Sequence, residues 1–213
     1  MTDTYPRANV PQEQRWDHAD LFADVAAWDA AHDALQARLA DLTACQGTLA
    51  QGPERLAAWL DTFETLEREL GRLSVWASMA SNVDTEDQAA VERADRINAL
   101  GAQFAEATAF ATPELLDVGI DTLRTWLTHD ALQDRTRWLD RLALQAPHVR
   151  NADIEALLGA LRTPFSGAAV THGLLANAEL DPPPARDAQG VEHAVTQARI
   201  STHLESADRT LRE

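Results

Sequence analysis

Residues 53–81 read PERLAAWLDTFETLERELGRLSVWASMAS, and the spacing of their apolar side chains marks one long amphipathic helix. Leu56, Trp59, Leu60, Phe63, Leu66, Leu70, Leu73 and Ala77 recur mostly at steps of three and four, so they fall along one side of a single helix. Pro53 suits the first helical position, where its missing N–H costs nothing, and Gly52 before it punctuates a loop. At 1.5 Å per residue this helix would span about 40 Å. Glu64 and Arg68 lie four apart on its polar side in the favourable order.

Upstream, Val25, Trp28, Leu35, Leu39 and Leu42 share one face of a helix over Val25–Leu42. Downstream, residues 82–87 (NVDTED) read as a turn and a helix start, with Asp84 or Thr85 as the cap. The helix that follows carries Ala90, Val91, Ala94, Ile97, Gly101, Phe104 and Ala105 on its apolar side. Two long helices joined by a short turn form an antiparallel hairpin, and Val25–Leu42 can pack beside it. Thr112-Pro113-Glu114 is a further start signal, with Thr112 as cap and Pro113 as the first helical residue. Shorter helices are predicted over Pro113–Val118, Asp121–His129, Ala131–Gln145, Asn151–Leu161 and Ser166–Ala176, with Pro147 ending the third.

The pattern changes at Asn177. Pro182-Pro183-Pro184 excludes a helix or central strand, and Val191–Gln197 alternates weakly, which predicts an edge hairpin against the alternative of a linker. A short helix follows from Ile200, and Ser206 reads as the cap of another that stops at Glu213 after barely two turns, as a truncation would. The fold class is therefore all-α, an antiparallel helical bundle with a long helical hairpin and a short β-hairpin near the C-terminus. Three segments are expected: an extended one over 1–22, a helical domain over 23–176, and the truncated start of a further domain over 177–213. No repeat of 20–50 residues supports a solenoid.

The 213 residues include 34 acids against 18 bases, a formal charge of −16, and every base is Arg, since the chain has no lysine. Phosphate backbones would be repelled, so no nucleic-acid partner is expected. Nor is a membrane expected, because no apolar run approaches the ~20 residues of a span and Thr2–Asp20 is too polar for a signal peptide. Cys45 is the only cysteine, which excludes an internal disulfide and a thiolate zinc cage. These features together predict a cytoplasmic protein. Lysine-free, alanine-rich composition fits codon bias in a GC-rich genome, or adaptation to high salt.

Candidate chemistry is sparse. None of His18, His32, His129, His148, His172, His193 and His203 is followed by Glu, and no two are four apart, so His-Glu-x-x-His is absent. His193 and His203, ten apart, lack a one-helix ligand spacing. Ser166 sits in Phe165-Ser166-Gly167 without a nucleophile elbow, and Cys45 has no motif around it. Phosphate-cradling glycine motifs are missing, and without lysine there is no Walker-type or Schiff-base chemistry. Asp17, Asp20 and Asp24 near His18 read as helix caps rather than metal ligands. Trp16, Trp28, Trp59, Trp76, Trp126 and Trp138 read mostly as core anchors, with Trp76 the one that could line a groove. No catalytic, metal or substrate-binding residue is assigned.

Taken in order, several motifs resemble the N-terminal part of the oligoendopeptidase F family, thimet-like zinc metallopeptidases. They are residues 15–22 (RWDHADLF) with Trp28, residues 71–79 (GRLSVWASM) with Asp84-Thr85, Thr112-Pro113-Glu114-Leu115, Trp138-Leu139 with Arg141-Leu142, Pro147-His148, residues 175–178 (LANA) and residues 204–209 (LESADR). The resemblance implies a helical lobe forming one wall or lid of a deep cleft that selects short oligopeptides. It also implies that zinc and the catalytic residues belong to a domain that follows, so the expected partners are that missing catalytic domain and, in the complete enzyme, oligopeptides. This chain holds no cofactor of its own on that reading and is inactive alone. Pro182–Pro184 departs from the strand the family has there. The alternative is a free-standing all-α module that binds a partner helix between its long helices.

Overall fold

A computed structural model describes residues 10–84, 87–149 and 182–212 and, between the last two stretches, residues 154, 161, 164, 165, 167–169, 171–173, 175, 176 and 180. Two compact units, Met1–Glu155 and Ala156–Glu213, divide the chain.

In the first unit, α1 (Val25–Thr43), α2 (Pro53–Val83) and α3 (Gln88–Thr108) pack against one another. Burial follows the spacing in residues 53–81 as anticipated: Leu56, Trp59, Leu60, Leu66, Leu73 and Ala77 are buried, and Phe63 and Leu70 pack half-buried beside them. Pro53 is the first residue of α2, and Gly52 before it has φ 138°, a backbone that a residue with Cβ adopts only under strain. On α1, Asp24 accepts the Ala27 N–H at 2.8 Å and so caps the helix. Trp28, Leu35, Leu39 and Leu42 are buried with His32, whereas Val25, placed on the same stripe by its spacing, is exposed at the helix start.

Trp76 belongs to the core, not to a groove. It is 5% exposed, stacks on Trp28 at 5.9 Å, and donates its indole N–H to the His18 carbonyl at 3.2 Å. Trp28 in turn donates to the Leu73 carbonyl at 3.0 Å. The residues before α1 are thus pinned to α2, and Arg72 adds a donor to the Leu21 carbonyl at 2.9 Å. Trp16 differs from the other tryptophans in being largely exposed.

Three local expectations are corrected. Asp87, not Asp84, caps α3, accepting from Ala89 N and Ala90 N; Thr85 lies outside the described residues. The buried side of α3 runs through Ala90, Ile97, Leu100, Phe104 and Ala107, which leaves Ala105 exposed. Finally, α4 spans Ala111–Val118 and Thr112 makes no cap bond, because Ala109 and Phe110 keep helical dihedrals and α3 runs almost directly into α4. Pro113 accordingly sits inside the first turn of α4 rather than at its first position.

Beyond α4 come α5 (Ile120–Trp126) and α6 (Thr136–Gln145). The helix predicted from Ala131 starts later because residues 133–135 form a 3₁₀ turn. Arg135 in that turn pairs with Glu64 and, at 2.8 Å, with Asp61, both on α2. Glu64 is therefore engaged across the fold by Arg135. The Glu64 hydrogen bond, helped by the nearby acidic charges, pushes the Arg135 guanidinium above its ordinary value against the opposing effect of burial. Most of the helix predicted over Asn151–Leu161 lies outside the described residues; Ile154 and Leu161 are helical. Of the helix predicted over Ser166–Ala176, residues 167–169 and 171–173 are helical and 175–176 form a π turn.

The second unit holds the expected hairpin. Its strands, β1 (Ala185–Arg186) and β2 (Glu192–His193), pair antiparallel with Ala185 opposite His193. Asp187 closes the turn: Oδ1 accepts from Gln189 N at 3.0 Å and Val191 N at 2.8 Å, while Oδ2 meets His193 Nε2 at 2.9 Å. Pro182–Pro184 precede β1 and lie outside both strands. A helix over Gln197–Leu204 starts before Ile200, and a last turn spans Arg209–Arg212. Asp208 caps that turn through Thr210 N, whereas Ser206 accepts from Asp208 N one step earlier.

Candidate functional site

Of the acidic residues near His18, Asp17 and Asp24 cap helices, accepting from Ala19 N and Ala27 N, whereas Asp20 lies inside the 3₁₀ turn His18–Asp20. Cys45 donates its thiol to the Asp41 carbonyl at 3.6 Å, an ordinary helix-end contact. Ser166 lies outside the described residues. His193 at the end of β2 and His203 on the helix Gln197–Leu204 come together with rings 6.0 Å apart, a meeting that helical spacing could not reveal. Their hydrogen-bond partners are Asp187 for His193 and the Ala194 carbonyl for His203.

Zinc, which the family resemblance implies for the complete enzyme, does not fit the donors present. Among the described residues no group of three or more His, Cys, Asp or Glu side chains could hold a metal ion. Its characteristic His-Glu-x-x-His helix is also missing from the sequence. No hydrolytic step is derived from these residues.

What the first unit does present is a groove of about 480 Å³ between α2, the α3–α4 junction and α6. Its floor is apolar: Trp59 stacks on Phe63 at 5.2 Å, and Leu60, Leu115 and Leu142 complete it, while Phe104 meets Phe63 at 5.5 Å from outside the groove. Trp59 is 4% exposed, yet its indole N–H has no acceptor among the described residues. Phe110 meets the same indole edge-on at 6.2 Å. One rim is α6, where Arg137 and Arg141 stand one turn apart with Trp138 beside Arg137. The other rim carries Glu64, held by Arg135, and Glu67. Arg137, Arg141 and Glu67 are exposed.

Sequence reasoning assigned no residue here. A signal was available in the i, i+4 pair Arg137 and Arg141 flanking Trp138, but the aromatic pair Trp59 and Phe63 comes from α2, some 75 residues upstream, and joins the arginines only in the folded chain.

Comparison with known proteins extends the resemblance. A family model described as Oligopeptidase F matches residues 114–181. The chain is 28% identical over 208 residues to oligopeptidase PepF of Bacillus subtilis and 27% identical over 208 residues to group B oligopeptidase PepB of Streptococcus agalactiae. Each alignment covers 97% of this chain but only 31% and 35% of those relatives, so the chain spans about a third of their length. Among solved structures, oligoendopeptidase-F from Enterococcus faecium shares the fold, with TM-score 0.78 and 22% identity over 89% of this chain and 38% of that one. A second solved structure, from Chlamydophila abortus, aligns with TM-score 0.64 and 26% identity over 97% of this chain and 35% of its own. The resemblance read from co-linear motifs is borne out: this chain is similar to the N-terminal part of oligoendopeptidase F peptidases, which are about three times its length.

Proposed function

We propose that this chain is the helical lobe of an oligoendopeptidase F-like zinc metallopeptidase, one wall of a cleft that admits short peptides and shuts out folded chains. The observation that carries this reading is the alignment of 97% of the chain with only about a third of each peptidase relative. Residues 23–176 would form the lobe, and 177–213 the opening of the domain that supplies zinc and the hydrolytic groups. The lobe's contribution is geometric, since a long, rigid helical hairpin with a packed tryptophan core makes a wall that narrows a cleft without touching the reacting atoms. Alone it hydrolyses nothing, a reading supported by the absent His-Glu-x-x-His and by the lack of a ligand cluster among the described residues. A lone cysteine and an acidic, lysine-free composition support a cytoplasmic setting. Similarity to peptidases weighs for the lobe over a free-standing helix-binding module.

The test is a chimera in which this chain replaces the matching third of the Bacillus subtilis oligopeptidase. A functional lobe restores cleavage of a quenched oligopeptide while casein stays intact. A chimera that is folded but inactive, or one that degrades casein, contradicts the role.

A further inference from the structure

The groove between α2, α4 and α6 holds a recognition chemistry that a passive wall does not need. In a chain of charge −16, Arg38, Arg72, Arg96, Arg124 and Arg135 are all paired with carboxylates. Arg137 and Arg141, like Arg68 on α2, have no such carboxylate, and they are the two that line the groove. They are one turn apart on the groove's rim and have no carboxylate, hydrogen-bond or ring partner among the described residues. Two like charges at this spacing repel slightly, so their side-by-side placement favours an anion brought from outside. Guanidinium forks match a carboxylate in geometry as well as charge.

Phe63, half-buried, lines the same groove with Trp59 stacked on it, and offers an aromatic face to an apolar side chain. Trp59 adds an indole N–H without an acceptor among the described residues, a donor that a peptide carbonyl would satisfy once the side chains over it part. Glu67, also without a partner among the described residues, faces the arginines from the other rim and would repel a polyanion while accepting peptide N–H groups. A groove of about 480 Å³ has the size of a small-ligand site.

We infer that this groove binds the carboxyl-terminal end of a short peptide with an apolar last residue, the terminal carboxylate on Arg137 and Arg141 and the apolar side chain over Trp59 and Phe63. Peptide as the ligand class rests on the function proposed above. Binding by the 213-residue chain is measured without hydrolysis, however, so either can fail without the other.

Isothermal titration of the full chain with acetyl-Ala-Leu-Phe, its C-terminal amide, and acetyl-Glu-Leu-Phe amide supplies the test. The free acid is expected to bind with Kd of about 1 mM or tighter, and about tenfold more tightly than either amide. Arg137→Gln and Arg141→Gln each erase most of that preference, while Arg68→Gln retains it and all three variants melt like the parent. No binding of the acid at about 10 mM overturns the site. Equal affinity of acid and amide, or a preference that survives the double variant, overturns the role of the arginines. Equal binding by the Glu-bearing amide overturns the choice of a chain terminus.

Discussion

Glu114 reaches out of α4 to the turn before α2, and removing it is the sharpest test of how the short helices are fastened to the bundle. Its carboxylate accepts Gly47 N–H at 2.9 Å through one oxygen and Leu49 N–H at 2.6 Å through the other. Gly47 is exposed, so without Glu114 its amide returns to water at little cost. Leu49 is fully buried and its bond to Glu114 is partly so; losing the acceptor leaves one donor poorly satisfied, at about 1–3 kcal/mol. Glu114→Ala should therefore cost about 2 kcal/mol and, for a unit of this size, lower Tm by roughly 4–8 °C. Thr112→Ala serves as the contrast. A Thr that caps a helix costs about 1 kcal/mol to remove, but Thr112 makes no cap bond and its loss should stay within about 0.5 kcal/mol. Urea unfolding followed by circular dichroism, with hydrogen exchange at Leu49, measures both. Glu114→Ala within about 0.5 kcal/mol of the parent, or Thr112→Ala costing as much as a true cap, would refute the reasoning.

Trp28→Phe keeps an aromatic ring between Trp76 and His32 but deletes the donor to Leu73 and opens a small void, so a loss of about 1–3 kcal/mol is expected as a lower urea midpoint at unchanged m. A shift in midpoint too small to measure would contradict the placement of that indole. Asp187 is held below its ordinary value of 3.8, first by the His193 hydrogen bond and then by the Val191 amide. A depressed carboxylate stabilises the fold above its ordinary value and loses that contribution as pH falls through its lowered one, so the Gln189 and Val191 amides should keep their protection near neutrality and lose it below about pH 4. Asp187→Asn should flatten this dependence, and unchanged protection of the parent chain at about pH 2 would count against it.

The long helices were legible because their apolar residues obey a helical period over many turns and burial follows it, as in α2 from Leu56 to Ala77. The caps were less so. Asp84, Asp87 and Thr112 all carry suitable side chains, and which one is used depends on where the backbone leaves helical dihedrals, a tertiary outcome. Glu64 shows the same limit: its local partner Arg68 has the ideal spacing, yet Arg135, in the turn before α6, takes it from 71 residues away. The absence of a zinc helix could be read directly, since that motif is contiguous. The groove could not, because its floor and rims join α2, α4 and α6, and no window of sequence contains them together.

Hydrolysis by the purified 213-residue chain, supplied with zinc and a quenched oligopeptide, bears most directly on whether this polypeptide is a cleft wall whose chemistry lies elsewhere. The account predicts cleavage no faster than in buffer and no zinc retained through dialysis. Turnover that a chelator abolishes, with one tightly held zinc per chain, would contradict it.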